Sequence, residues 1–416
     1  MTEKNNHIVN QLPKDWKWVK LGETGKILSG GTPSTSIPEY WNGNINWIAP
    51  SDLTRYKNKS IRKGKKSITE SGLKNSSARL MPKGSVLFSS RAPIGYVVIA
   101  DSELCTNQGF KSIIPNENII SDFLYYFLLA SKRNAEQVAS GTTFKEISLS
   151  KFSELSFPLP HKPTQQAIVS KIEELFSEIK KGIESLFTAQ KQLKTYRQSV
   201  LKWAFEGKLT NKNVKEGEFP RDWKLKKISD ITKIETGTTP SKSNPVFYGN
   251  QYPFYKPTDL EAGENVYKSN DGLTKLGVDA ARYVPENSTL VTCIGATIGK
   301  TGLIKKGGGF NQQINAIVPN ETMNPKFVYY QTIGLKFQKQ ILDNASATTL
   351  PIINKGKFQI LEMVVCSIEE QRNIVREIES RLSVADKMEE SINESLQQAE
   401  ALRQSILKKA FEGKLV

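Results

Sequence analysis

The chain has 416 residues, of which 38% are hydrophobic, which is enough to build cores for about two to four domains. It carries 58 Lys and Arg against 42 Asp and Glu, and this net charge of +16 favours a polyanionic partner such as nucleic acid over simple solubility charge. Three scattered cysteines argue against a disulfide framework or a zinc ribbon. No long apolar run and no signal-peptide core is found, so we expect a cytoplasmic protein.

The chain repeats itself with a period of about 206 residues. Residues 12–53 align without gaps on residues 219–260, with 16 identities in 42 positions. The most alike segments are RQSVLKWAFEGKL at 197–209 and RQSILKKAFEGKL at 403–415, which are identical at 11 of 13 positions. The GGTPS segment at 30–34 matches GTTPS at 237–241, and the Asn-Gln pair at 107–108 matches that at 311–312. The repeat predicts two copies of one structural unit.

The first part of each copy mixes strand and helix signals. Short β-type runs at 85–88 and 96–99 are punctuated by Gly and Pro, and a helical stretch follows near 121–138. This pattern predicts an α+β fold. We divide the chain into a globular domain at 1–160, a helical region at 161–210, a second globular domain at 211–366 and a second helical region at 367–416.

Each copy ends in a single long helix. Residues 165–206 contain no proline, and their apolar residues recur at alternating spacings of four and three, which is typical of a coiled-coil seam. Such a helix is roughly 60 Å long. Gly207 and Gly413 stand where a left-handed C-cap is expected, and Ser367 and Glu370 have capping-box spacing. The residues predicted to pair the helices are Ile168, Ile172, Leu175, Ile179, Leu186, Leu193 and Val200 in the first copy and Ile378, Met388, Ile392, Leu402 and Ile406 in the second.

The alternative is that each helix packs only on its own domain. A seam of about 40 residues is too long for one small domain to cover, which favours pairing of the two helices. The heptads leave the direction of pairing open.

The densest basic segment predicts a DNA contact. Residues 55–66 contain seven cations in twelve positions: Arg55, Lys57, Lys59, Arg62, Lys63, Lys65 and Lys66. The alternative is a solvated loop. The matching residues of the second copy, 261–268, are more acidic, so the two copies share a frame but are expected to read unlike DNA half-sites. Further candidate contacts are Arg91, Lys111, Thr143 and Lys145 in the first copy and Lys256, Lys268, Arg282, Lys300 and Thr349 in the second.

Catalytic signatures are not found in the sequence. The two histidines, His7 and His161, lack metal-ligand spacing, and there is no Walker loop. The segment Asn244-Pro245-Val246-Phe247 lacks the second proline of the amino-methyltransferase motif. We therefore predict no catalytic residue and no metal site. The competing interpretations are a self-sufficient nuclease or methyltransferase and a stand-alone DNA-binding regulator or coiled-coil scaffold.

These segments together resemble the specificity subunit of type I restriction–modification systems, and the resemblance covers nearly the whole chain. It rests on the duplicated GTPS-type and Pro-x-Asp-Leu segments, on residues 91–95 and 107–108, and on the helix ending at 204–209 with its repeat at 410–415. The segment 157–160 followed by Gln165-Gln166 also resembles the family, whereas its counterpart at 365–367 lacks the prolines.

The resemblance implies two target recognition domains separated by two helices that pair antiparallel as a coiled coil. It implies a bipartite, asymmetric target in double-stranded DNA. It also implies two copies of a modification subunit, which binds S-adenosylmethionine and methylates adenine, and ATP-dependent restriction subunits that join for cleavage. This chain is then non-catalytic and binds no cofactor itself, with S-adenosylmethionine, ATP and Mg on the partner subunits. Base-reading residues cannot be carried over from the family, so the basic candidates depend on charge alone.

Overall fold

The computed structural model describes residues 12–91, 93–141, 145–211, 213–215, 217–346 and 350–416. The chain divides into two compact units. Unit 1 is drawn from residues 1–186 and 394–416, and unit 2 from residues 187–393. Both units combine helices and strands, which confirms the predicted α+β class.

Unit 1 contains the strands and helices of the first copy. Its strands are β1 (Lys17–Lys20), β2 (Gly25–Ser29), β3 (Trp41–Ile48), β4 (Ser60–Ile61), β5 (Lys66–Ile68), β6 (Val86–Ser89), β7 (Val97–Ala100), β8 (Leu104–Thr106), β9 (Phe110–Pro115) and β10 (Ser156–Leu159). Its helices are α1 (Glu70–Lys74), α2 (Ser121–Ala130), α3 (Lys132–Val138), α4 (Leu149–Ser153) and the first part of α5 (Lys162–Phe205).

The sheets of unit 1 pack around a buried centre. Among the described residues, the largest sheet has the order β2-β9-β6-β7-β4, a second has the order β5-β3-β8, and β1 pairs with β10. Strands β6 and β7 read VLFS and VVIA and are buried at every position, because one face packs on α2 and the other packs with residues of β3 and β8. Helix α2 packs across β6 and β7 and brings the core toward α5.

Unit 2 repeats this arrangement. Its strands are β11 (Lys224–Lys227), β12 (Thr232–Thr236), β13 (Tyr248–Tyr255), β14 (Asp271–Leu273), β15 (Thr289–Thr292), β16 (Thr301–Leu303), β17 (Gly309–Phe310), β18 (Ile314–Pro319) and β19 (Glu362–Val365). Its helices are α6 (Ile228–Ile231), α7 (Lys275–Ala280), α8 (Pro325–Ile333), α9 (Leu335–Asn344) and α10 (Lys355–Gln359), with the first part of α11 (Ile368–Phe411).

The two copies differ at one sheet edge. Within the described part of unit 2 the main sheet has the order β12-β18-β15-β16, and the position of β4 is reduced to a single bridge between Val266 and Ile304. The second sheet, β14-β13-β17, and the pair β11-β19 match their counterparts in unit 1. Strand β4 lies within the basic segment 55–66, so the two copies differ in strand pairing and in charge at the same place.

Both long helices end at the glycines that the sequence marks as C-caps. Each of α5 and α11 has 44 residues. Gly207 and Gly413 have φ angles of 81° and 69°, the left-handed conformation that glycine adopts without strain at a helix end. The Ser367 hydroxyl accepts a hydrogen bond of 3.2 Å from the Glu370 amide at the start of α11.

In unit 1 the start of α5 packs with the end of α11. Ile168 and Ile172 share a buried cluster with Ile406, and the ring of Phe411 lies 5.2 Å from that of Phe123 on α2. In this cluster Ile179 is buried and Leu175 is partly buried. The helices therefore contact each other and the globular core at the same place, and here α11 packs on the core of the first copy. The alternative that each helix packs only on its own domain does not hold at this end.

In unit 2 the end of α5 packs with the start of α11. Val200 and Ile378 lie in one buried cluster, Leu193 and Ile392 are also buried, and Leu186, just outside this unit, is half-buried. Met388 in unit 2 and Leu402 in unit 1 are about half exposed, at 54% and 50%. They lie at the margin of the seam.

Polar contacts in unit 2 define the direction of the helices. The Gln190 amide donates to Asn393 at 3.2 Å, and the Arg197 guanidinium pairs with Asp386 at 2.6 Å and with Glu389 at 2.7 Å. Residue numbers rise along α5 as they fall along α11, so the helices run antiparallel.

One buried glutamine ties each long helix to its globular domain. The Gln165 side chain is fully buried; its amide donates to the carbonyls of Asn118 and Pro160, and its oxygen accepts from the Ile120 amide at 2.9 Å. Gln371 is equally buried and makes the equivalent contacts in unit 2, donating to Thr322 and Cys366 and accepting from Asn324. A buried amide needs these partners, and they fix where each helix leaves its domain.

Candidate nucleic-acid interface

The basic segment at 55–66 is folded into a closed loop by Asp52. The Asp52 carboxylate accepts hydrogen bonds from the Ala49 amide at 2.9 Å and from the Lys65 amide at 3.3 Å, so it joins the two ends of the loop. Gly64 packs so closely on Asp52 that a Cβ there would lie 2.7 Å from the carboxylate. The aspartate of the repeated Pro-x-Asp-Leu motif thus holds the two ends of the loop together through its hydrogen bonds, and we call this arrangement the aspartate staple.

Most cations of this loop face solvent. The exposed ones are Arg55, Lys57, Arg62, Lys63, Lys65 and Lys66. Arg55 has a φ angle of 63°, a left-handed conformation that costs a non-glycine residue about 1 kcal/mol or more. The Lys66 ammonium lies 5.2 Å from the centre of the Trp41 ring, a cation–π contact. Among the described residues, no carboxylate lies within ion-pair distance of Lys57, Lys63 or Lys65.

Lys59 differs from its neighbours because it belongs to an internal ion-pair cluster. Its ammonium pairs with Asp122 on α2 at 2.6 Å and with Glu173 on α5 at 2.5 Å, and it lies 5.8 Å from the Tyr126 ring. Burial lowers the pKa of Lys59, but the hydrogen bonds to the two carboxylates outweigh it and hold the pKa above its usual value. Lys59 therefore anchors the loop rather than presenting a free charge.

Two other first-copy candidates share one carboxylate. Lys111 is only 6% exposed, and its ammonium lies 3.4 Å from Glu146. Arg91 is half-exposed and pairs with the other oxygen of Glu146 at 3.3 Å. Lys145 is exposed next to them. Lys111 is buried and paired with Glu146, so it can reach DNA only by leaving that position, whereas Arg91 and Lys145 are on the surface.

The matching loop of unit 2 keeps the aspartate staple, but an acidic residue stands where unit 1 has Lys59. Asp259 accepts from the Lys256 amide at 2.8 Å and from the Asn270 amide at 3.1 Å, as Asp52 does in unit 1. Glu264 occupies the place of Lys59 and pairs at 2.7 Å with Lys326 on α8, which occupies the place of Asp122. Lys326 also pairs with Glu379 on α11.

The protonation of this second cluster follows from its contacts. Burial raises the pKa of Glu264, but hydrogen bonds from Lys326 and from the Tyr330 hydroxyl (2.5 Å) outweigh it and hold the pKa below its usual value. Burial lowers the pKa of Lys326, and its bonds to Glu264 and Glu379 raise it further than burial lowers it. Glu264 and Lys326 are therefore both charged at neutral pH.

The second-copy candidates are more often paired. Lys256 pairs with Asp271, and Lys300 lies 3.8 Å from Glu261. Arg282 is exposed, has a φ angle of 61° and donates to the Thr236 carbonyl at 3.0 Å. Lys268 is exposed. The candidates Thr143 and Thr349 lie outside the described residues.

Two polar loops, which the sequence reveals only as repeat signatures, form surfaces beside these cations. The Thr32 hydroxyl donates to the Gln108 side-chain oxygen, and the Thr239 hydroxyl donates to that of Gln312. Both glutamines are exposed. The signal that finds these residues is identity between two copies whose other surface residues differ.

Other chemistry is limited in the described structure. Burial raises the pKa of the Cys105 and Cys293 thiols to about 12, so both remain protonated and weakly nucleophilic at neutral pH. Within the described ranges, no group of three or more His, Cys, Asp or Glu is arranged to hold a metal ion. Of the helices described, none is sufficiently long and apolar to cross a membrane.

Known proteins resemble the chain over most of its length. The family model described as the type I restriction modification DNA specificity domain matches residues 13–186 and 220–398. The specificity subunit of the type I restriction enzyme MjaIX from Methanocaldococcus jannaschii is 32% identical over 85% of this chain and 83% of its own length. The specificity subunit of the type I restriction enzyme HindI from Haemophilus influenzae is 26% identical over 89% of this chain and 94% of its own.

Solved structures share the fold. A chain from a study of complex assembly and conformational transition of the type I R-M system has a TM-score of 0.72 at 20% identity, covering 97% of this chain and 99% of that one. The HsdS subunit from Thermoanaerobacter tengcongensis has a TM-score of 0.61 at 19% identity, covering 97% and 98%. The family model matches both copies, and so the chain belongs to the type I restriction–modification DNA specificity family.

Proposed function

We propose that this chain is the non-catalytic DNA specificity subunit of a type I restriction–modification complex. Each unit reads one part of a bipartite, asymmetric target in double-stranded DNA. The paired helices α5 and α11 set the number of base pairs between the two parts. The proposal places the protein in the cytoplasm, where its DNA lies.

One observation carries the proposal: the two copies keep one fold and differ in the loop that faces solvent. Asp52 and Asp259 staple both loops in the same way, yet one loop presents a cluster of unpaired cations and the other contains Glu261 and Glu264. A repeated frame with different surface residues suits the reading of two unlike sequences. Two identical half-sites would have favoured identical loops.

The proposed contact set of unit 1 follows from exposure and pairing. Lys57, Lys63 and Lys65 have no carboxylate partner among the described residues, so phosphates can neutralise them without breaking an ion pair. Lys59 and Lys111 already have partners, and we assign them to structure rather than to DNA. Arg91, Arg282 and Lys268 remain proposed contacts by charge and exposure.

The family also suggests the partners. We propose that two copies of a modification subunit and the ATP-dependent restriction subunits dock on this chain. S-adenosylmethionine, ATP and Mg would then be bound by those subunits, and this chain would supply only the DNA sequence specificity of the complex. Purified chain incubated with S-adenosylmethionine and DNA should transfer no methyl group, and transfer would reverse this assignment.

Genome-wide mapping of methylated adenines tests the proposal directly. Cells that carry the modification subunit with this chain should methylate one split, asymmetric motif, and cells without this chain should not. Exchanging residues 12–160 for those of another family member should change one half of the motif and leave the other half intact. A motif that is one uninterrupted block, or that changes in both halves, contradicts the proposal.

The salt dependence of binding tests the loop. Replacing Lys57, Lys63 and Lys65 by Gln should weaken binding of the chain, assembled with its modification subunits, to a duplex of the mapped motif. It should also reduce the slope of log affinity against log salt by about 0.9 for each phosphate that the variant no longer neutralises. Replacing the exposed Lys14, Lys17 and Lys26 by Gln removes the same charge elsewhere on unit 1 and should leave the slope nearly unchanged.

A further inference from the structure

We propose a second DNA contact, one that is the same in both units and binds the sugar–phosphate backbone rather than the bases. We call it the polar platform: residues 30–36 with Gln108 in unit 1, and residues 237–243 with Gln312 in unit 2. The proposal rests on the proposed function, because it assumes that both units bind DNA. The residues of the platform were not among the contacts expected from charge.

The backbone of the platform is built to one plan in both units. A Cβ on Gly30 would overlap the Asn107 carbonyl, and a Cβ on Gly237 would overlap the Asn311 carbonyl. The Gly31 amide donates to Thr106 at 2.8 Å, and the equivalent Thr238 amide donates to Phe310 at 3.0 Å. This close approach, which only glycine permits, seats each loop against the Asn-Gln turn.

Aromatic donors hold the loops in place. In unit 1 the Trp47 indole donates to the Gly31 carbonyl at 2.9 Å, and the Trp41 indole donates to Ser34 at 3.1 Å. In unit 2 the Tyr248 hydroxyl, at the position of Trp41, donates to Pro240 at 2.7 Å. A loop fixed at several points presents its side chains without a large entropic cost on binding.

The exposed side chains of the platform are neutral hydrogen-bonding groups. The serine hydroxyls of Ser34 and Ser36 lie 2.8 Å apart, and those of Ser241 and Ser243 lie 2.7 Å apart. In each unit the threonine hydroxyl donates to the side-chain oxygen of the glutamine, so the NH₂ group of that amide is left as an oriented donor. Hydroxyl and amide donors are common ligands of DNA phosphates.

The position of the polar platform beside a cation in each unit favours DNA over a protein as its partner. Trp41, which holds the loop of unit 1, also carries the Lys66 ammonium of the basic segment on its ring. In unit 2, Arg282 donates to the carbonyl of Thr236, the residue before Gly237. A cation thus stands beside the platform in both units. Since the two units are to read different bases, a surface they share must bind what the two half-sites share, which is the backbone.

The test uses two substitutions with opposite chemistry. Gln108→Ala together with Gln312→Ala removes the donors, whereas Gln108→Glu with Gln312→Glu keeps an acceptor for the threonine hydroxyl and directs a negative charge outward. We expect the alanine variant, assembled with modification subunits, to lose affinity about three- to ten-fold. The loss should be equal for a duplex of the mapped motif and for one with both halves scrambled. The glutamate variant should lose more, although its hydrogen bond within the loop is kept.

Three readouts separate this contact from other roles. The salt slope of the alanine variant should match that of the wild type, since the amide is neutral. The methylated motif should stay the same, and Gln137→Ala, an exposed glutamine on α3, should bind as the wild type does. A loss of affinity confined to the mapped motif would mean that the platform reads bases. A failure to assemble with modification subunits would mean that the platform is a protein-docking surface. Unchanged binding would mean that the platform does not contact DNA. Each of these overturns the proposal, whereas a wild-type complex that does not prefer its mapped motif would instead overturn the proposed function.

Discussion

Lys59 of unit 1 and Glu264 of unit 2 occupy the same place in the repeated fold and carry opposite charges. Each is paired with a residue on the following helix, Asp122 or Lys326, that has also reversed its charge. The third member, Glu173 or Glu379 on the long helix, has not changed. Each cluster thus joins the loop after the Pro-x-Asp-Leu motif, the following short helix and the long helix, and the two copies keep this connection while two of the three charges are exchanged.

The opposite charges of the two clusters predict that the charges of Lys59 and Asp122 can be exchanged together, whereas reversing one of them alone destabilises the chain. Lys59→Glu places three carboxylates together and should destabilise the chain by roughly 1–2 kcal/mol. Adding Asp122→Lys recreates the arrangement of unit 2 and should restore most of that stability, as measured by urea unfolding of both variants. Lys83→Glu, opposite Asp101 in a more exposed pair at 3.2 Å, is the control and should cost less. A double variant no more stable than Lys59→Glu contradicts the coupling.

The unit 2 cluster predicts a pH dependence. The folded pKa of Glu264 lies below its ordinary value of 4.5, so its contribution to stability is present above that value and is lost as the pH falls through the folded pKa. The pKa of Lys326 is raised above 10.5, so its contribution is lost only at still higher pH. Lys326→Met should therefore be less stable than the wild type by about 0.5–1 kcal/mol at pH 7. The difference should shrink as the pH is lowered toward 4, and a constant difference would be inconsistent with an ionised Glu264.

The buried glutamines predict a larger effect. Gln165→Ala leaves two carbonyls and one amide without partners at the start of α5, which should cost about 2 kcal/mol or more. Gln371→Ala should cost a similar amount in unit 2. The neighbouring Gln166 is exposed, and Gln166→Ala should be nearly neutral in thermal unfolding. Equal effects of the two neighbours would show that the buried network is unimportant.

Gly182 predicts a stabilising substitution. It lies within α5, where a Cβ would meet no atom within 4 Å, beside a groove of about 580 Å³ lined by Ile179, Ile183 and Leu402. Gly182→Ala should add about 0.5–1 kcal/mol, because alanine is the better helix former. Gly207→Ala, at a φ of 81° and against Pro220, should instead destabilise. Calorimetry of the two variants should give melting shifts of opposite sign.

The spacer role predicts a change in the DNA target. Inserting four residues into α5 and four into the facing part of α11 lengthens each helix by about 6 Å, or about two base pairs. The gap in the methylated motif should lengthen accordingly, while both halves keep their sequence. Mapping of methylated sites measures the gap directly. A gap of unchanged length would rule out the helices as the spacer.

Local pattern and repetition were enough to predict the architecture. The two copies, the long helices, their glycine caps and the helical stretch near 121–138 are consequences of short-range sequence signals, although that stretch is divided into α2 and α3 near 131. The heptad pattern also predicts which helix face is buried, although Met388 and Leu402 lie further from the seam than their spacing indicates. In a pair whose helices also pack on globular cores, some heptad positions meet a partner and some meet solvent.

The candidate site was harder to predict because charge alone does not reveal pairing. Lys59 finds its partners 63 and 114 residues further along the chain, at Asp122 and Glu173, and nothing near Lys59 in the sequence indicates this. Lys111 is similar, since its partner Glu146 is on a distant segment. The polar platform could have been found by asking which exposed residues are identical in both copies, because identity without burial has no packing explanation.

The division of the chain into units has a consequence for its synthesis. Unit 2 is one continuous stretch, residues 187–393, which can fold as soon as it leaves the ribosome. The core of unit 1 includes Phe411, which packs on Phe123 and Phe127 nearly 290 residues before it. The part of the protein made first must therefore wait, with an apolar gap beside α2, until the last turns of α11 arrive. We expect nascent chains stalled before 394 to expose this gap, and chaperones to protect the N-terminal half for longer than its place in the order of translation would suggest.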